Sequence, residues 1–340
     1  MRQLILASIF GLFFSLTPAH GAAPDSYHFI QAIPIGGAGG WDYLTIDPSA
    51  RRLFMSQATR IVVIDIEKNK IIGEITDTPG VHGIAISGEL NRAFSSNGKE
   101  NKVSIIDLAT RKTIAKVSTG ENPDAIIYIP QSHEVYAFNG RTKSATVIMA
   151  RSGDVAATIA LAGKPEFAAV DTTSQRVFVN IEDKSVVEVI DTKSHQIAAT
   201  WPLAPCETPT GMAIDTRNQR LFIGCENELM VMMDSATGKI LSTVPIGKGV
   251  DAIAYDQGTK FVFSSNGEGT VTIAQEATPG KLTVSQTLKT QKGARTLALD
   301  PQTHRIYLPA ADFELPTSGE GKRPGIIPGT LKILVYGPSM

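Results

Sequence analysis

Val103-Ser104-Ile105-Ile106-Asp107 is one of four closely similar pentads, and their spacing decides the fold. The others are Ile61-Val62-Val63-Ile64-Asp65, Val187-Glu188-Val189-Ile190-Asp191 and Met230-Val231-Met232-Met233-Asp234, and a degenerate copy, Thr146-Val147-Ile148-Met149, sits midway between the second and third. Asp107 follows Asp65 by 42 residues, the steps through Met149 to Asp191 are 42 each, and Asp234 comes 43 later. Short strands recurring every 40–45 residues between turns are the signature of a β-propeller blade. The aspartates that end the pentads open outer-hairpin turns, where their side chains bond the backbone ahead, so their role is structural.

Outward from the pentad of residues 103–107, the unit reads as four strands: Gly83 to Ser87, Arg92 to Ser96, Lys102 to Asp107 and Thr113 to Val117. Alternation is patchy on the inner strands because both faces of a blade pack against neighbours. Gly88-Glu89-Leu90-Asn91 and Asn97-Gly98 supply turn chemistry. The innermost strands align on one position: Asp42, His82, Asp124, Glu166, Thr210, Asp251 and Arg295, with gaps of 40 to 44 residues. The chain therefore predicts an all-β, seven-bladed propeller of four-stranded antiparallel blades. The last blade lacks an outer strand, because the chain stops soon after Lys332 to Tyr336. Ile33-Pro34-Ile35-Gly36 matches Val244-Pro245-Ile246-Gly247 of another outer strand, so the N-terminal strand is expected to close the ring and remove a sheet edge.

Residues 1–22 read as a signal peptide. Arg2 is the positive start, Leu4 to Leu16 form the apolar run, and Ala19-His20-Gly21 offers small residues for cleavage. Residues 23–340 then form one domain, expected to be monomeric, without a membrane span, and periplasmic or secreted. A net charge of −1 with dispersed signs argues against nucleic acid as a partner. The expected partner is a small molecule, a peptide or another exported protein. Cys206 and Cys225, the only cysteines, fall on one face of one blade and are expected to pair as a disulfide rather than as a thiolate metal site.

The seven aligned residues ring one mouth of the channel. A second ring follows 14 or 15 residues later: Gln57, Asn97, Asn139, Asn180, Cys225, Asn266 and Ala310. Polar groups gathered at one end of an apolar channel are the default binding site of this architecture. The ligand-binding candidates are Asp42, His82, Asp124, Glu166, Asp251 and Arg295, with Asn97, Asn139, Asn180 and Asn266. His82 lies between two aspartates, which should raise its pKa, and Arg295 lies between Asp251 and Asp42. Asp124 and Glu166 are like-charged neighbours with no ring cation between them, so either one holds a proton or a cation such as a divalent metal sits there. If the site is catalytic, Asp124 or Glu166 is the base or metal ligand, His82 the acid/base group and Arg295 the anion stabiliser. The competing reading is an ion-paired collar that ties the blades together. In the last blade, a Pro- and Gly-rich insertion at residues 309–330, carrying Asp312, Phe313, Glu314, Lys322 and Arg323, is expected as a lid or binding loop over the same mouth, the alternative being a tolerated surface insertion.

Four features carry a resemblance to the YVTN/YncE-type seven-bladed propellers of bacteria. They are the pentad, the stretch Arg92-Ala93-Phe94-Ser95-Ser96-Asn97-Gly98 with its near copy at Phe261 to Gly267, Pro123-Asp124-Ala125-Ile126, and Gly293-Ala294-Arg295-Thr296. The resemblance covers the whole mature chain and implies an exported propeller. Such propellers include lactonases, dehydrogenase subunits and nitrogen-oxide reductase domains, so three functions are carried forward. They are a binding protein, a (metal-assisted) hydrolase, lactonase or lyase, and an accessory subunit of a periplasmic redox system. The chain has no C-x-x-C-H for covalent haem and only Trp41 and Trp201, too few for the per-blade tryptophans of quinoprotein propellers, so neither cofactor is expected. It also lacks a G-x-S-x-G elbow and an H-E-x-x-H helix.

Overall fold

A computed structural model describes residues 26–314 and 325–339. Residues 1–22, read from the sequence as a signal peptide, and Lys322 and Arg323 of the insertion lie outside the described residues. The chain forms seven separate four-stranded antiparallel sheets arranged as a ring. Blade 2 is built from Val81–Ser87, Arg92–Asn97, Lys102–Asp107 and Lys112–Ser118, within two residues of the sequence reading. The outer-hairpin aspartates act as expected: Asp65 Oδ1 accepts the backbone N–H groups of Glu67 and Lys68 at 3.0 and 2.8 Å.

Ring closure follows the sequence expectation. In the last sheet Tyr27–Pro34 is the outer strand, paired antiparallel with Lys332–Pro338, inside which lie Arg305–Ala310 and Ala298–Asp300. The innermost strand of this blade is only three residues long, so Arg295 sits in the approach to the strand rather than in it. Gln286 exchanges two hydrogen bonds of 2.8 Å with the Tyr27 backbone, seating the N-terminal strand against blade 6.

Apolar residues of adjacent blades merge into shared clusters. Ile33, Leu53, Met55, Tyr307 and Ile333 form one at the seam between the first and last blades. Each such side chain contributes about 1.5–3 kcal/mol relative to exposure, so the core lies between blades. Among the described residues no helix is long and apolar enough to cross a membrane. Cys206 and Cys225 form the expected disulfide, buried beside Val187, Leu203 and Met212. It ties the stretch entering blade 5 to the end of that blade's second strand.

Candidate functional site

One local irregularity, repeated around the ring, positions the mouth residues. In blades 1 to 5 the pairing of the two innermost strands slips by one residue between the first and fourth positions of the inner strand. Trp41 pairs with Gln57 but Leu44 with Met55, and the same shift recurs at Val81/Ile84, Pro123/Ile126, Pro165/Ala168 and Pro209/Met212. A β-bulge re-aims the side chains it carries, and each of these holds a ring residue and its successor. Small polar side chains from the second strand fill the bulge. Ser56 Oγ accepts the Asp42 N–H at 3.0 Å, and Ser96 Oγ accepts the Gly83 N–H at 2.9 Å. The stitching continues between blades: Ser96 donates to the Asp124 carbonyl, Thr210 to that of Val250 and Thr296 to that of Asp42. The Ser-Ser-Asn-Gly motif is thus explained by backbone satisfaction.

His82, Asp42 and Asp124 come together. His82 Nδ1 hydrogen-bonds Asp42 Oδ2 at 2.6 Å and lies 3.6 Å from Asp124 Oδ1. Burial opposes charge on this imidazole, but the Asp42 hydrogen bond and the charges of Asp124, Asp42 and Glu166 outweigh it and raise its pKa to about 9. Across the opening Arg295 Nε meets Asp251 Oδ2 at 2.9 Å. Despite that cation, burial together with the charges of Asp42 and Asp124 pushes Asp251 up to about 7. Burial also lifts Asp124 to about 6, with His82 pulling the other way, and lifts Glu166 to about 8 with the help of the Asp124 charge.

The ring supplies no cation between Asp124 and Glu166, but one reaches Glu166 from outside the ring. Lys164 enters from the turn two residues earlier, reaching Glu166 Oε2 at 3.2 Å and hydrogen-bonding Glu182. Residue counting along the inner strands misses it because it precedes the ring position. Even so, Glu166 Oε2 is shielded from solvent and lacks a hydrogen bond of good geometry. Thr210 turns inward to the Val250 carbonyl and is buried.

The four asparagines of the second ring are fully buried. Asn97 Nδ2 donates to Ser104 and Glu100, Asn139 to Ser144 and Thr146, Asn266 to Thr270 and Thr272, and Asn180 to the Thr210 carbonyl. Their bonded amides face into and between blades rather than into the opening.

Two residues that the sequence reading passed over close the channel below the carboxylates. Tyr43 of blade 1 and Phe167 of blade 4 meet across the axis with ring centroids 5.3 Å apart. The position after each ring residue is Tyr43, Gly83, Ala125, Phe167, Gly211, Ala252 and Thr296, so two large rings stand among small side chains. Gly211 must be small, because a Cβ there would come within 2.5 Å of the Ile253 backbone nitrogen. Burial first, then the charges of Asp124, Glu166, Asp42 and Asp251, hold the Tyr43 phenol protonated. Beneath the pair lies a void of about 70 Å³ lined by Leu44, Ile84, Ile126 and Ala168. The site is thus a cup with an acidic wall and an aromatic floor.

The stem of the insertion flanks this cup. Phe313 bridges to Ile326 in a single antiparallel pair and packs 6.2 Å from Trp41, and Gly329 N–H bonds the Gly37 carbonyl at 3.0 Å. Gln291 Nε2 anchors it by donating to the Ala311 carbonyl at 2.9 Å.

No family model matches the chain, and no curated protein does. Solved structures do. A chain of Kuenenia stuttgartiensis hydrazine synthase is 15% identical, with 83% of this chain and 96% of that chain covered and a TM-score of 0.70. A chain of a mitotic checkpoint complex is 12% identical, with 99% and 98% covered and a TM-score of 0.74. U3-55K is 10% identical, with 90% and 98% covered and a TM-score of 0.75. The chain is a seven-bladed β-propeller. At these identities the likeness carries the fold alone, and the YVTN/YncE resemblance rests on the sequence motifs.

Proposed function

We propose that this propeller is an exported binding protein that takes a small organic cation, an amine or the basic side chain of a peptide, in the cup at its mouth. One observation carries the reading: Asp42, Asp124, Glu166 and Asp251 surround an opening whose floor is the Tyr43–Phe167 pair. Burial has driven three of these acids toward neutrality, so an entering cation gains strength from each carboxylate it re-ionises. An aromatic floor adds cation–π attraction of about 0.5–2 kcal/mol. Export agrees with the leader-like residues 1–22 and with a buried disulfide, which persists in oxidising compartments.

Calorimetry with polyamines and Lys- or Arg-rich peptides, against anionic compounds of similar size, tests this. Cations should bind one per chain, more tightly at pH 8 than at pH 6, and the Asp124→Asn/Glu166→Gln double variant should lose binding. Equal binding by the folded double variant would overturn the reading. The hydrolase reading has one observation in its favour, the His82–Asp42 pair, which is placed to donate a proton near pH 7. Arg295, its anion stabiliser, is instead engaged by Asp251.

A further inference from the structure

We propose that Asp42, His82 and Asp124 form a binding site for a divalent transition-metal ion, open toward the mouth. This deepens the cation-binding reading of the mouth and rests on it. One donor atom from each residue lies within 4.8 Å of the others. Two carboxylates converge on the same ring nitrogen, His82 Nδ1, at 2.6 and 3.6 Å. Metal–nitrogen and metal–oxygen bonds near 2.0–2.2 Å in a tetrahedral site separate donor atoms by about 3.3 Å. The close contact of 2.6 Å needs to lengthen by about 0.7 Å and the longer one of 3.6 Å to shorten by about 0.3 Å.

The arrangement also selects this trio among the mouth acids. Lys164 occupies Glu166 and Arg295 occupies Asp251, whereas among the described residues no Lys or Arg comes within 4 Å of Asp42 or Asp124. The sole basic partner of these two carboxylates is an imidazole, which can release its proton to become a ligand. Metal entry then replaces one proton: the Nδ1–H bond breaks, a metal–nitrogen bond forms, and the proton leaves to solvent.

The Tyr43 phenol lies amid the charges of the same four carboxylates, and a water on a metal held by the trio would offer it a hydrogen bond. One nitrogen and two carboxylate oxygens suit zinc, manganese or iron(II), whereas calcium takes six to eight oxygens and magnesium keeps mostly water.

The test uses the intact mature protein, stripped with chelator and titrated with zinc chloride by calorimetry, with calcium and magnesium chlorides as controls. One zinc per chain should bind with release of a proton, and calcium and magnesium should not compete. Outer partners of metal ligands are worth about 10–100-fold in affinity. His82→Gln and Asp124→Asn should each weaken zinc binding about 100-fold or more, while Arg51→Lys on the opposite face stays within about 3-fold. Cobalt substitution should give a tetrahedral visible spectrum that His82→Gln abolishes, and circular dichroism establishes that each variant folds. No zinc binding by the folded wild type, or binding that survives both His82→Gln and Asp124→Asn, overturns the proposal. Amine binding without zinc binding overturns the metal site and leaves the organic-cation reading standing. Zinc binding without amine binding does the reverse.

Discussion

On the face opposite the mouth, charges and polar groups meet neighbours in adjacent blades one for one. Arg51 donates to both oxygens of Asp300 at 2.8 Å across the closing seam. His304 meets Asp256 at 2.7 Å, Tyr255 donates to Asp215 at 2.8 Å, and His195 meets Glu134 at 2.9 Å. The mouth face instead crowds four carboxylates around one imidazole, one Arg and one Lys, and three of its acids are pushed up. The first arrangement holds blades together. The second leaves charge unresolved, the feature on which the proposed binding role rests.

The sharpest way to break this comparison is to damage each face in turn. Arg51→Ala leaves the fully buried Asp300 carboxylate without its cation, and such a loss costs about 3–5 kcal/mol. Denaturant unfolding should show that drop, whereas Asp124→Asn or Glu166→Gln should be neutral or stabilising. Comparable losses on both faces would mean that the mouth is a collar too.

The disulfide offers a somewhat smaller effect. The chain-entropy model assigns about 3 kcal/mol to a loop of the size closed by Cys206 and Cys225. The Cys206→Ala/Cys225→Ala variant should lose about that much in denaturant. Cation affinity at the mouth should change little, because both cysteines are buried in an apolar cluster with Val187, Leu203 and Met212.

The smallest effect concerns pH and has opposite signs on the two faces. Glu166, pushed up to about 8, and Asp251, to about 7, keep their protons in the folded chain, while the unfolded groups ionise near pH 4. Stability therefore falls as pH rises from about 4 to 8. Asp300 is held below the usual carboxylate range: burial opposes this, and the Arg51 and Thr303 hydrogen bonds outweigh it. Its contribution is present above the unfolded value and lost only as pH drops through the lower folded one. Chelated protein should melt a few degrees higher at pH 5.5 than at pH 8, since about 1 kcal/mol moves Tm by about 2–4 °C in domains of 150–250 residues. Glu166→Gln should flatten the slope in a calorimetric scan.

What the sequence made legible was everything periodic. The pentads located the third strands, the 40–44-residue spacing located Asp42 to Arg295, and the Ile33-Pro34 match located the closing strand. The floor of the cup escaped because alternation assumes a regular strand. A bulge at the ring position puts two consecutive residues out of register, so the position of Tyr43 could not be counted from Asp42. Comparing that one position around the ring would have exposed Tyr43 and Phe167 as large among small. Lys164 escaped because it lies in a turn, outside the aligned strand positions. The asparagines were placed correctly in the ring but serve backbone and hydroxyl partners within and between blades.

The closing strand has one last consequence. Ser339 N–H bonds the Ser26 carbonyl at 2.9 Å, so the two ends of the described chain meet at the rim. Tyr27–Pro34 runs from that point up toward the face bearing Asp42, so the junction sits on the far side of the disc. A surface tether or fluorescent tag attached at Ser26 or Ser339 would hold the disc from behind and leave the cup facing outward, free to be sampled.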